Sequence, residues 1–82
     1  MKKEEVIIGM KVIPFQKTVE GYNDLQNSMV WKWAKEVNQD YLYIITWDEE
    51  EQCFCLHYIK NPIDKDDRGD FFNPEDFEFL SY

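Results

Sequence analysis

The sequence has little of what most chemistry requires. Its 82 residues include one histidine, two cysteines, three glycines and three prolines. With glycine so sparse, no phosphate-cradling glycine-rich loop and no dinucleotide fingerprint can be traced. Nor is there a low-complexity linker or an internal repeat, so residues 1–82 are expected to form a single domain. After Met1-Lys2-Lys3-Glu4-Glu5 the apolar run is only Val6-Ile7-Ile8. That is too short for a signal core or a membrane span. A cytoplasmic, reduced protein with no membrane partner is expected. Cys53 and Cys55 sit two apart on one expected strand, where disulfide geometry is hard to reach. Free thiols are expected.

Positive charge is scarce where negative charge gathers. Residues 1–40 hold six Lys and six Asp or Glu, and are neutral. Residues 41–82 hold three basic and eleven acidic side chains, and supply the whole net charge of −8. The acids cluster at Asp48-Glu49-Glu50-Glu51, from Asp64 to Asp70, and at Glu75-Asp76-Glu78. Such a field repels nucleic acid and anionic membrane and attracts basic surfaces. Direct nucleic-acid binding, which draws its affinity from Lys and Arg on phosphates, is therefore not expected; the cationic stretches are Lys2-Lys3 and the pair Lys32, Lys35.

Aromatics are abundant, at 17% of residues, and each buries much area in a small core. Residues 9–15 read as a first strand, with Pro14 pushing it toward an edge or an early end. Residues 16–27 read as a loop, with Gly21, Asn23, Asp24 and Asn27 as turn formers. Ser28 is the expected N-cap for a helix to Asn38. On it Met29, Val30, Trp33, Ala34 and Val37 share one apolar arc, and Trp31 falls outside it. This predicts a Trp31 more exposed than Trp33. Residues 41–47 and 53–59 are strands joined by an acidic loop, 48–52. Residues 60–70 are a polar loop. Asn73-Pro74-Glu75-Asp76 has the form of one helical turn, with Asn73 as cap and Asp76 at the capping-box acid position. A last strand covers 77–80.

These landmarks are Gly-Met-Lys-Val at the first strand, Tyr-Leu-Tyr-Ile and Cys-Phe-Cys-Leu at the central hairpin, and Gly-Asp-Phe-Phe-Asn-Pro-Glu-Asp-Phe-Glu at the end. They resemble a Src-homology-3-type barrel. The resemblance implies a mainly β fold, a small, strongly bent five-stranded antiparallel barrel, here with one inserted helix in residues 16–40. The chain is also similar to small uncharacterised proteins of Bacillus-type bacteria and their phages. That likeness admits a bacterial or a phage origin and brings no activity. Fold alone does not assign function.

The motifs favour bland readings over chemistry. Asp64, Asp66, Asp70, Gly69 and Glu75 match positions of a calcium loop, but Arg68 stands where an oxygen ligand belongs. A solvated acidic loop is the better reading. Cys53, Cys55 and His57 share a strand face, but alternate strand residues lie ~6.6–6.8 Å apart and do not converge on one zinc. No metal, cofactor or catalytic residue is expected, and Arg68-Gly69-Asp70 spells an adhesion tripeptide by chance. The leading expectation is a non-enzymatic acidic module that docks a protein partner with a basic surface, as a monomer or weak dimer. Trp31, Tyr41, Tyr43 and Trp47 are its candidate apolar contacts. Asp48, Glu49, Glu50, Glu51, Asp64, Asp66, Asp67 and Asp70 are its candidate steering acids. One alternative is an inhibitor that mimics nucleic acid with its carboxylates. The other is a small hydrolase or metal-binding protein using His57 and the cysteines.

Overall fold

The computed structural model describes residues 3–82, so the expected cationic stretch at Lys2-Lys3 lies partly outside the described residues. A short 3-10 turn, Lys3–Glu5, leads into β1 (Lys11–Gln16). Two helices follow, α1 (Val19–Asn27) and α2 (Met29–Glu36). Then come β2 (Leu42–Asp48), β3 (Cys53–His57), β4 (Asp70–Phe72) and β5 (Phe77–Ser81). The five strands form one open antiparallel sheet in the order β4-β3-β2-β1-β5.

The first strand is central for only part of its length. Lys11 and Val12 pair with β2, whereas Val12 to Gln16 pair with β5. Pro14 thus falls where β1 has a sheet neighbour on one side, the setting that tolerates a residue with no N–H to donate.

Two helices occupy the segment where one was expected. Residues 16–27 hold α1 instead of a loop. Thr18 caps it, its hydroxyl accepting from the Gly21 N–H at 2.9 Å. Gly21 and Leu25, one turn apart, are its buried positions. The turn formers Asn23, Asp24 and Asn27 lie on the exposed side, where their low helix propensity is tolerated. Gly21 is required by packing: a Cβ there would press on the Asp76 carbonyl oxygen. The Thr18 hydroxyl donates to Asp76 Oδ1 at 2.9 Å, and Lys17 N–H donates to the Asp76 carbonyl at 2.8 Å. Asp76 therefore ties α1 to the β4–β5 turn rather than closing a capping box of its own.

Ser28 ends α1 and starts α2. Its N–H donates to the Leu25 carbonyl, and its side chain accepts from the Trp31 N–H. At the other end Asn38 takes a left-handed φ of 58°. Gln39 N–H reaches the Ala34 carbonyl and Asn38 N–H reaches that of Lys35, the paired bonds of a Schellman stop.

The packed stripe of α2 is rotated from the expected arc. Val30 and Ala34 are buried, and half-buried Trp31 packs against the core. Trp33 is 40% exposed and Val37 60% exposed. The expected order of the two tryptophans is thus reversed. The helix seats itself on the Val30–Ala34 line and turns toward Trp31, whose ring also lies under the Lys35 ammonium at 4.2 Å. Trp33 instead leans on Tyr58, with ring centroids 6.1 Å apart.

The core joins Leu25, Val30 and Ala34 of the helices to Val12, Leu42, Ile44, Phe54, Leu56, Phe72, Phe77 and Phe79 of the strands. A bulge in β2 shapes it. Ile44 pairs with Leu56 and Thr46 with Cys55, which leaves Ile45 as the extra residue. Leu42 and Ile44 face the core before the bulge. The extra residue shifts the alternation by one, so that Trp47 opposite Phe54 faces the core as well.

Candidate functional site

Every residue of β3 is buried, and Asp67 and Gly69 of the following loop lie against its end. Gly69 makes this approach possible. Its φ is +72°, and a Cβ there would collide with the Leu56 carbonyl oxygen. Beneath the loop, His57 is 2% exposed. Its Nδ1 accepts from the Ile59 N–H at 3.0 Å, so its proton sits on Nε2, which donates to Asp67 Oδ2 at 2.9 Å. That contact, with the Gly69 N–H second, holds the Asp67 carboxyl below the usual range. Both ring nitrogens of the sole histidine are therefore engaged inside the fold. Cys53 and Cys55 are free and buried, and burial is the first cause that pushes both thiols up, away from the thiolate.

The calcium-loop pattern does not converge in space. Asp70 turns away to the start of α2, accepting from Ser28 Oγ at 2.6 Å and from the Val30 N–H at 3.2 Å. Asp64 accepts from the Asp66 N–H within its own turn, and Asp67 faces His57. Among the described residues no group of three or more His, Cys, Asp or Glu is placed to hold a metal ion.

The two acidic loops do meet. Arg68 donates to Asp48 Oδ2 at 2.8 Å, joining the 60–69 loop to the end of β2. Asp48 Oδ1 accepts from the Glu51 N–H, the first cause that lowers its pKa, with Arg68 adding to it. On these loops Glu49, Glu50, Glu51, Asp64 and Asp66 are exposed, and none has an ion-pair partner among the described residues. An open cleft of about 520 Å³ is lined by Ile45, Thr46, Asn61 and Pro62, the cations Lys60, Lys65 and Arg68, and the acids Asp64 and Asp67.

Of the expected steering acids, Asp48, Asp67 and Asp70 each hold a contact within the fold, Asp67 while 45% exposed, and the other five face solvent. The apolar candidates also separate. Trp31 and Trp47 pack against the core, Trp47 edge-on to Phe54 at 4.6 Å. Tyr41 and Tyr43 instead stand together at the surface, with centroids 5.6 Å apart and planes at 86°. Tyr82, which the sequence pattern did not single out, joins them at 4.4 Å from Tyr41. Asp40 sits beside this group. Its charge is the first cause that raises the Tyr82 phenol's pKa; that of Tyr41 is raised first by hydrogen bonding to Tyr43.

The chain matches no protein-family model, no curated protein and no solved structure. Among the described residues no helix is long and apolar enough to cross a membrane.

Proposed function

We propose that the chain is an acidic, non-enzymatic docking module for a protein with a basic surface, acting in the cytoplasm. The observation that carries this reading is the Asp48–Arg68 bridge at 2.8 Å. It ties the 60–69 loop back to the end of β2, and Glu49, Glu50, Glu51, Asp64 and Asp66 are exposed on the two loops so linked. The contacts of Asp48 with Arg68 and of Asp67 with His57 hold the 60–69 loop in place. Clustered charge of one sign steers encounter more than it adds affinity. The order β4-β3-β2-β1-β5 and the single turn before β5 support a bent Src-homology-3-type arrangement as the scaffold.

The test is kinetic. A basic partner captured from host lysate is presented to the wild type and to a variant with Glu49, Glu50 and Glu51 changed to Gln. Between 0.01 M and 0.15 M salt the screening length falls from ~30 Å to ~8 Å. The wild-type on-rate is expected to fall steeply over that range, and the variant to start lower and fall less. An on-rate indifferent to both salt and the three substitutions overturns the reading. Competition by DNA or RNA for the same partner site would mark the module as a nucleic-acid mimic.

A further inference from the structure

We infer that the exposed stripe Met29, Trp33 and Val37 of α2 is the contact through which two copies of this chain associate, antiparallel and about a two-fold axis at Trp33. The surface is separate from the acidic loops and stands without the docking reading.

The stripe is what the rotated seat of α2 leaves over. Five apolar positions share one arc of this helix, but only Val30 and Ala34 are buried. Met29 joins Trp33 and Val37 among the exposed residues. The three are spaced four apart, so they stand one above another along about 12 Å of helix. Tyr58 widens the stripe beside Trp33. At the Met29 end an open hollow of about 300 Å³ is lined in part by Met29, Phe71 and Phe72, and Phe71 is itself exposed. Exposed apolar residues scattered singly are ordinary, whereas a continuous ridge of them marks an association surface.

The pattern of the stripe names its occupant. Trp33 is the midpoint, with Met29 four residues before it and Val37 four after. Turned end for end, the stripe matches itself: Trp33 meets Trp33, and Met29 meets Val37 of the second copy. That valine then lies over the hollow beside Met29. The charges match under the same rotation. Lys32 and Glu36 are exposed along one flank of the stripe, and neither has an ion-pair partner among the described residues. In an isologous antiparallel pair each flank meets its own counterpart, so Lys32 faces Glu36 of the second copy and Glu36 faces its Lys32. The other flank is the Val30–Ala34 line, already seated on the core. A stripe this short covers less than the ~800 Å² per partner of a standard interface, so the dimer is weak and forms at high protein concentration. The net charge of −8 on each copy opposes it. Salt therefore strengthens this contact, whereas it weakens encounter with a basic partner.

The test is sedimentation equilibrium of the full chain over a rising protein series, at salt of 0.01 M and 0.15 M. A reversible monomer–dimer equilibrium is expected, with more dimer at the higher salt. Trp33→Ala is expected to weaken the dimer about tenfold or more. Val37→Ser, at a more exposed position, is expected to weaken it in the same direction and serves if Trp33→Ala fails to fold. The charge exchange is the decisive arm. Lys32→Glu makes each copy more negative by two charges and Glu36→Lys makes it less negative by two. Each sets like charges across the pair, so both are expected to weaken the dimer about threefold or more. The double exchange restores opposite charges and is expected to return the dimer to within about twofold of wild type. A chain that stays monomeric throughout overturns the inference. So does a dimer that survives both Trp33→Ala and Val37→Ser, which another surface would hold. A dimer tightened by Glu36→Lys also overturns it, because it follows net charge and not the flank. Binding of a foreign apolar helix to the stripe of a monomeric chain gives the stripe a different occupant and overturns the second copy.

Discussion

Asp70 offers the sharpest test of which acids belong to the fold. Its carboxylate joins the start of β4 to the start of α2 across 42 positions of sequence. One oxygen accepts both the Ser28 hydroxyl, at 2.6 Å, and the Val30 N–H, at 3.2 Å. Hydrogen bonds to a charged acceptor contribute about 1.5–3 kcal/mol, and a carboxylate at a helix N-terminus adds about 0.3–1 kcal/mol. The two contributions share one geometry and do not simply add, and water can replace part of the loss at this half-buried site. Asp70→Ala is therefore expected to cost about 2 kcal/mol, a Tm decrease of roughly 8–16 °C for a domain of this size. Asp70→Asn keeps an acceptor and loses the charge, so it should cost about half as much. Combined with Ser28→Ala, the Asp70→Ala effect should shrink, because the two side chains share a bond. Thermal and urea unfolding of the four variants measure all of this. Glu50→Ala, at a solvent-facing acid, is the control and should stay within about 0.5 kcal/mol. If Asp70→Ala matches that control, the carboxylate does not anchor α2.

Three further outcomes follow from the packing and the charges. Trp31→Ala should destabilise by about 2–4 kcal/mol and Trp33→Ala by clearly less, with acrylamide quenching Trp33 the more strongly; the reverse order would place the stripe of α2 wrongly. Gly69→Ala should cost more than about 1 kcal/mol in urea unfolding, since φ is positive and the new Cβ meets the Leu56 carbonyl; a neutral result would mean that the loop does not lie on β3. The Asp67 pKa is depressed in the folded state, so its contribution is present above the ordinary carboxylate value of ~3.9 and is lost as pH falls below it. Stability measured from pH 6 down to 2 should therefore fall less steeply at the acid end in Asp67→Asn than in wild type.

Much of the fold is legible in the chain because its signals are local. β-Branched and aromatic residues mark β2, a second apolar run after an acidic turn marks β3, Pro14 marks the partly unpaired strand, and Ser28 marks the start of α2. The rest depends on contacts between distant residues. Asp70–Phe72 is only three residues long and becomes a strand by pairing with β3. The turn-forming residues of α1 hide a helix whose one local sign is the Thr18 cap. The bulge at Ile45 changes the face of Trp47, and period-two alternation carries no mark of it. For the acidic runs, composition shows the charge but not its partners. Asp48, Asp67 and Asp70 find Arg68, His57 and Ser28 at separations of 20, 10 and 42 residues. The tyrosine cluster is half visible: Tyr41 and Tyr43 stand out in the sequence, whereas Lys11 and Tyr82 reach them only through the register.

The sheet is open, and that has a consequence for the protein in bulk. Among the described residues β5 pairs with β1 alone, so a five-residue strand runs along the sheet margin with Leu80 exposed, and Phe15 is exposed on neighbouring β1. Such a margin is a template on which a second copy can add its own strand. At neutral pH two copies repel one another, each carrying a net charge of −8. That repulsion fades as pH approaches the isoelectric point of about 4.4. Near it, the margins of two molecules meet without an electrostatic barrier, and strand addition and precipitation become accessible while much of the sheet is still formed. The acidity of the second half thus acts between copies of the chain: it is a colloidal guard for an edge strand.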